Sequence, residues 1–162
     1  ETISRLLADN ELDATTITLE VTESELMGEL TASLDVLTRL RLKGVSLSID
    51  DFGTGYSSLS YLSRFPLDEL KIDRSFVIEA NNSEQGASLV RAIIAMAQSL
   101  GLELVAEGVE TDEQYEFMTT AGAHVIQGYM FSQPVPAEKL EPLLAPWHFQ
   151  QQIAQLESRI HR

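Results

Sequence analysis

Apolar and polar positions follow two rhythms along this chain, a twofold alternation and a helical spacing, and they take turns five times. Residues 17–21 alternate first, with Ile17, Leu19 and Val21 around Thr18 and Glu20. Such a run predicts a half-buried strand. Residues 31–43 then place Leu34, Val36, Leu37 and Leu40 along one side of a helix, and Gly44 ends it. Residues 45–49 alternate again, setting Val45, Leu47 and Ile49 against Ser46 and Ser48. A glycine-rich loop follows, then a short helix over about 57–64, closed by Phe65 and Pro66. Residues 69–72 read as a third strand, and 84–100 as a long helix carrying Leu89, Ile93, Met96, Ala97 and Leu100, with Gly101 as its stop. Residues 102–106 read as a fourth strand. Thr111 is the expected N-cap of a helix that runs to Thr120 and ends at Gly122. Residues 125–128 read as a fifth strand, and Pro136 leads a last helical region. Beyond residue 144, Phe149, Ile153, Leu156 and Ile160 recur at helical spacing and predict a terminal helix or linker over 145–162.

Strand and helix in repeated alternation predict an α/β protein, a parallel sheet with helices packed outside it. No glycine fingerprint of a dinucleotide fold or P-loop is present. The architecture that remains is a (β/α)8 TIM-type barrel, of which this chain carries about five β/α units. That barrel takes about 250 residues, and the chain has 162. Ile3, Leu6 and Leu7 already read as helix, so the other strands are expected before Glu1, in a longer parent chain.

Composition narrows the function. A hydrophobic content of 44% supports one ordinary core, and no apolar run is long enough for a membrane segment. The absence of Cys excludes disulfides and thiolate metal sites and fits a cytoplasmic location. A net charge of −14 disfavours nucleic acid and anionic lipid as partners. A small phosphate ligand remains compatible where cations neutralise the acidic groups. His124, His148 and His161 stand apart and suggest no metal site.

The strand ends carry the chemistry. Side chains alternate between the faces of a strand. Thr18 and Glu20 therefore oppose the apolar set of the first strand, Asp50 shares the face of Ser46 and Ser48, and Lys71 opposes Leu70 and Ile72. Glu107 and Gln127 follow the fourth and fifth apolar runs. In a (β/α)8 barrel this C-terminal end of the strands is where active sites lie. Glu20, Asp50, Asp51 and Glu107 at close quarters would repel one another, and divalent cations remove that conflict. An all-oxygen set favours Mg²⁺ or Mn²⁺, and two such ions suit phosphodiester hydrolysis by water. Lys71 could hold the water or offset phosphate charge. The segment 50–58, with Asp50, Asp51, Phe52, Gly53, Thr54 and Gly55, exceeds what helix capping requires and reads as a lid that presents metal ligands.

Five stretches resemble successive motifs of EAL domains, a bacterial family that hydrolyses cyclic di-GMP. They are residues 20–24 (EVTES), 50–59 (DDFGTGYSSL), 70–77 (LKIDRSFV), 106–111 (AEGVET) and 127–129 (QGY), and the likeness runs to about Leu144. The resemblance implies that residues 1–144 are the C-terminal part of an EAL domain that releases linear pGpG. By it, Glu20 binds the first of two metal ions, Asp50 bridges both, and Asp51 and Glu107 serve the second. It further implies that Lys71 positions the hydrolytic water, Gln127 contacts water or substrate, Glu23 anchors the lid loop, and Glu110 supports the ligands from behind. The Glu-Ala-Leu motif itself, the following Asn-bearing strand and a substrate-binding Arg do not occur here. The resemblance therefore implies an active parent and an inactive isolated chain. The alternative is a degenerate EAL domain that senses cyclic di-GMP. A homodimer and an upstream sensory or GGDEF domain are the expected partners.

Overall fold

The alternating runs form five strands in the computed structural model of the chain: β1 (Thr18–Thr22), β2 (Ser46–Phe52), β3 (Glu69–Ile72), β4 (Glu103–Ala106) and β5 (Val125–Ile126). The helices are α1 (Thr2–Asp9), α2 (Glu23–Gly28), α3 (Leu30–Arg41), α4 (Arg74–Asn82), α5 (Glu84–Ser99), α6 (Asp112–Ala121) and α7 (Ala137–Leu140). The structure describes residues 2–28, 30–53, 62–144 and 153–154. Thr54 and Gly55 of the expected lid, most of the expected helix over 57–64, and nearly all of 145–162 lie outside the described residues.

Every strand pairs in parallel with its neighbour in the sequence, giving the order β1-β2-β3-β4-β5. This is an α/β fold and a partial (β/α)8 barrel. Leu47, Ile49, Leu70, Ile72, Leu104 and Ala106 are fully buried on one face of the sheet. They join Val77 of α4, Val90, Ile94 and Ala97 of α5 and Met118 of α6 in one core. On the other face Ser48, Lys71 and Val105 are buried as well. At the opposite end from the site, Asp68 accepts from the Leu47 N–H (3.0 Å) and meets Arg41 Nη2 at 2.6 Å, tying the end of α3 to the start of β2.

Three elements differ from the sequence expectation. Helices α2 and α4 are additional. Asp73 caps α4 by accepting from the Ser75 N–H (2.9 Å). Ser83 ends α4 and starts α5, donating its N–H to the Glu79 carbonyl and accepting the Gly86 N–H on its hydroxyl. The fifth strand has two residues rather than four. Its ladder stops at Gln127, whose carbonyl accepts from the Val109 N–H (3.1 Å) in a loop instead. The signals of α6 hold: Thr111 forms a capping box with Gln114, and Gly122 closes the helix in the left-handed region at φ 104°. Val36 and Leu89, expected on the apolar sides of their helices, are instead exposed. Among the described residues no helix is long and apolar enough to cross a membrane.

Gly86 lies so close to α4 that an added Cβ would fall 2.5 Å from the Glu79 carbonyl oxygen. Gly86→Ala should force the helices apart and cost about 1–3 kcal/mol, as overpacking does. The urea midpoint of the variant should fall accordingly. An unchanged midpoint would show that α4 and α5 separate freely.

Candidate active site

Strand β2 carries an irregularity that aims its end. Ile49 pairs with Leu70 and Phe52 with Ile72, so Asp50 and Asp51 together stand opposite Lys71. This is a bulge, one residue more on β2 than on β3. Asp51 takes the extra turn at φ 54°, a conformation that Asp tolerates better than most residues. The shift lets Asp50 keep the face of Ser48 while Phe52 returns to the core, where it is 5% exposed. Without the bulge Asp51 would point into that core.

Lys71 is the centre of the site. Its side chain leaves the middle of β3 on the face away from the helices and is 5% exposed. The ammonium Nζ lies 2.7 Å from Glu20 Oε1, 2.6 Å from Glu107 Oε1 and 3.6 Å from Asp50 Oδ1. These groups come from β1, the residue after β4, and β2. Burial works against the charge of Lys71. Hydrogen bonds to Glu107 and Glu20, with the fields of Glu107 and Asp50, outweigh it and raise the pKa above the ordinary lysine value. Burial also raises the Glu107 pKa; Lys71 opposes this, and Asp50 and Glu20 add to it. Both directions follow from one cation shared among three carboxylates, where the most buried carboxylate gains proton affinity.

The loop after Asp51 is held from two sides. Glu23, 2% exposed at the start of α2, accepts the Gly53 N–H on Oε2 at 3.0 Å. A Cβ on Gly53 would sit 2.8 Å from the Phe76 ring, and φ there is +93°. Only glycine fits between Glu23 and Phe76. The second Glu23 oxygen and the Ser48 hydroxyl are buried with no hydrogen-bond partner among the described residues.

The structure thus brings together Glu20, Asp50, Lys71 and Glu107, and it places Asp51 exposed at the rim beside them. Gln127 is exposed at the end of β5 and makes no hydrogen bond or ion pair with the Lys71 cluster. Glu110 pairs with Arg74 (2.8 Å) rather than with the cluster. Arg74 has no role in the sequence reading. Its signal was a cation in an acidic chain, three residues beyond Lys71.

Among the described residues no three carboxylates or imidazoles are arranged to ligate a metal ion as they stand. The Lys71 ammonium takes the point where the carboxylate oxygens meet. The donor set still fits a hard divalent cation. It is all oxygen, and it carries more negative charge than one ammonium balances.

The family model of the EAL domain matches residues 1–134. The chain belongs to the EAL domain family. It is 51% identical over 138 residues to the cyclic di-GMP phosphodiesterase NbdA of Pseudomonas aeruginosa, covering 85% of this chain and 18% of NbdA. The solved PaMucR phosphodiesterase in complex with c-di-GMP superimposes with a TM-score of 0.82 at 48% identity, over 85% of this chain and 56% of that one. The BlrP1 complex of Klebsiella pneumoniae with manganese and cyclic di-GMP gives 0.74 at 38% identity, over 79% and 33%. This EAL chain therefore spans less than a fifth of NbdA and just over half of the PaMucR chain.

Lys71→Met should destabilise the fold by about 3 kcal/mol near neutral pH, the low end for breaking a buried ion pair, because half-exposed Glu20 can rehydrate. Without the ammonium the three carboxylates repel one another, and Glu107 loses the partner that opposes the rise of its pKa above the unfolded value. The folded state then binds more protons than the unfolded, so stability should recover as pH falls. Urea midpoints at about pH 8 and about pH 5 measure this. An equal loss at both would mean that the carboxylates do not sense Lys71.

Proposed function

We propose that the EAL domain formed by residues 1–144 hydrolyses cyclic di-GMP to linear pGpG with the help of two divalent cations, Mg²⁺ or Mn²⁺. The observation that carries this reading is the convergence of Glu20, Asp50 and Glu107 on buried Lys71. The likeness to named cyclic di-GMP phosphodiesterases supports the substrate. The manganese in the BlrP1 complex supports the class of metal.

In this reading Glu20, Asp50, Asp51 and Glu107 hold the ions, and when bound these supply Lewis-acid polarisation of the phosphate and a more acidic water. Lys71 contributes as a hydrogen-bond donor and a positive charge. The carboxylates that surround it favour its ammonium form, which suits a donor to the attacking water rather than its base. It can orient that water and offset charge on the phosphate oxygens. The water oxygen bonds to phosphorus, the bond from phosphorus to a ribose 3′ oxygen breaks, and one proton of the water ends on that oxygen, giving a 3′ hydroxyl and a terminal 5′ phosphate. Gln127 orients water or substrate from the end of β5. Glu23 fixes the loop at Gly53, so the position of Asp50 and Asp51 depends on it. Residues 145–162 lie outside this domain as a terminal helix or linker. A homodimer, an upstream sensory or GGDEF domain and a cytoplasmic setting belong to the same reading.

Chromatographic conversion of cyclic di-GMP to pGpG by the intact protein containing these residues tests the proposal, with the 162-residue chain measured alongside. The intact protein should turn over with Mg²⁺ or Mn²⁺, stop on chelation, and lose activity in Asp50→Asn while staying folded. The 162-residue chain should not turn over. Full activity in chelator would overturn the metal reading. Binding of cyclic di-GMP without turnover would replace the enzyme by a sensor.

Glu23→Ala should weaken Mn²⁺ binding about 10–100-fold, the usual effect of removing a group that orients metal ligands. Hydrogen exchange at the Gly53 amide should speed up in the same variant. An unaltered Mn²⁺ titration would remove Glu23 from the site.

A further inference from the structure

We infer that Arg74 is a positioning residue that holds Glu107 on Lys71 by pinning residues 107–110 against the start of α4. The inference rests on the hydrolytic reading above and adds a residue that the reading does not use.

Residues 107–110 carry Glu107 at their head and are gripped from both sides. On the β5 side the grip is backbone to backbone. Val109, fully buried, donates its N–H to the Gln127 carbonyl (3.1 Å), and its carbonyl accepts the Met130 N–H (3.1 Å). Gly128 lies so close that an added Cβ would fall 2.0 Å from the Val109 oxygen. At the head, the Glu107 N–H donates to the Ile72 carbonyl (3.1 Å). At the tail, the Glu110 N–H donates to Gln114 Oε1 (2.8 Å) in the cap of α6.

On the other side the grip is Arg74. Gly108 turns the chain at φ +65°, and an added Cβ there would lie 2.4–2.7 Å from Cγ, Cβ and Cδ of Arg74. The aliphatic stem of Arg74 therefore lies flat on Gly108. Beyond the stem, Arg74 Nη2 reaches Glu110 Oε1 at 2.8 Å. The stem covers the residue next to Glu107 and the head pulls on the end of the same segment.

Geometry favours positioning over stability. The Arg74 and Glu110 side chains are 53% and 37% exposed, and an ion pair so open to water adds little to folding. It does fix direction. Arg74 is the first residue of α4, close behind Lys71 on the same stretch of chain. That stretch supplies the ammonium and also grips the carboxylate, which meet at 2.6 Å. Loosening the grip should leave the fold intact and let Glu107 drift from Lys71.

The test uses the intact protein and Arg74→Ala, Arg74→Glu and the exchange Arg74→Glu with Glu110→Arg. Arg74→Ala should lower kcat about tenfold with KM unchanged, and weaken Mn²⁺ binding by calorimetry by a similar factor. The exchanged pair should recover much of what Arg74→Glu loses in both. A rise in KM with kcat unchanged would make Arg74 a substrate contact and overturn the inference, as would no change in either. If Arg74→Ala fails to fold, Glu110→Gln keeps the stem on Gly108 and should show the same kcat and Mn²⁺ losses. If the unaltered protein does not hydrolyse cyclic di-GMP, the hydrolytic reading fails by itself. The Mn²⁺ titration of the variants then decides on Arg74, and equal affinities would sink it.

Discussion

Three carboxylates share one ammonium at the C-terminal end of the sheet, and the surrounding structure serves to keep them there. Each of Glu20, Asp50 and Glu107 reaches Lys71 from a different strand or strand end. A buried lysine without such partners would lose its proton, and carboxylates so close without a cation would take protons up. Each charge is thus the condition for the others. The arrangement is also unbalanced, since one positive charge faces three negative ones. That imbalance leaves net negative charge at the strand ends.

Several devices place these groups. The bulge at Asp50 and Asp51 lets adjacent acids stand at one strand end while Phe52 stays in the core. Glu23 and Phe76 leave Gly53 room for a backbone and nothing more. Close packing around Val109 joins the ends of β4 and β5. None of these contacts involves a reacting atom, yet each decides where a charged side chain begins.

The sequence showed much of this, because period two survives in strands with a polar face. The alternation in β1, β2 and β3 put Glu20, Asp50 and Lys71 on one face, and the structure brings them together. Helix α4 was not legible. Its buried residues Val77 and Ala80 make a weak stripe, and Asp73, its cap, reads as part of a motif. The bulge was not legible either, since it appears only when Phe52 is seen to pair with Ile72. Nor were the partners of Gly108 and Gly128, because the atoms that exclude a side chain there belong to other stretches of the chain. Arg74 was hidden for the same reason. Local pattern reports periodicity, while contacts between loops are decided by tertiary placement.

Pairing strictly in chain order has a consequence for how the protein assembles. Lys71 and Glu20 are separated by 51 positions, and Glu107 lies farther along still. No hairpin or local helix can bring them together. Each closure of such a loop costs entropy before any contact repays it. The charge cluster can therefore complete itself only once β1 through β4 have come together. The state of the cluster is thus a reporter of whether these four strands have paired in register.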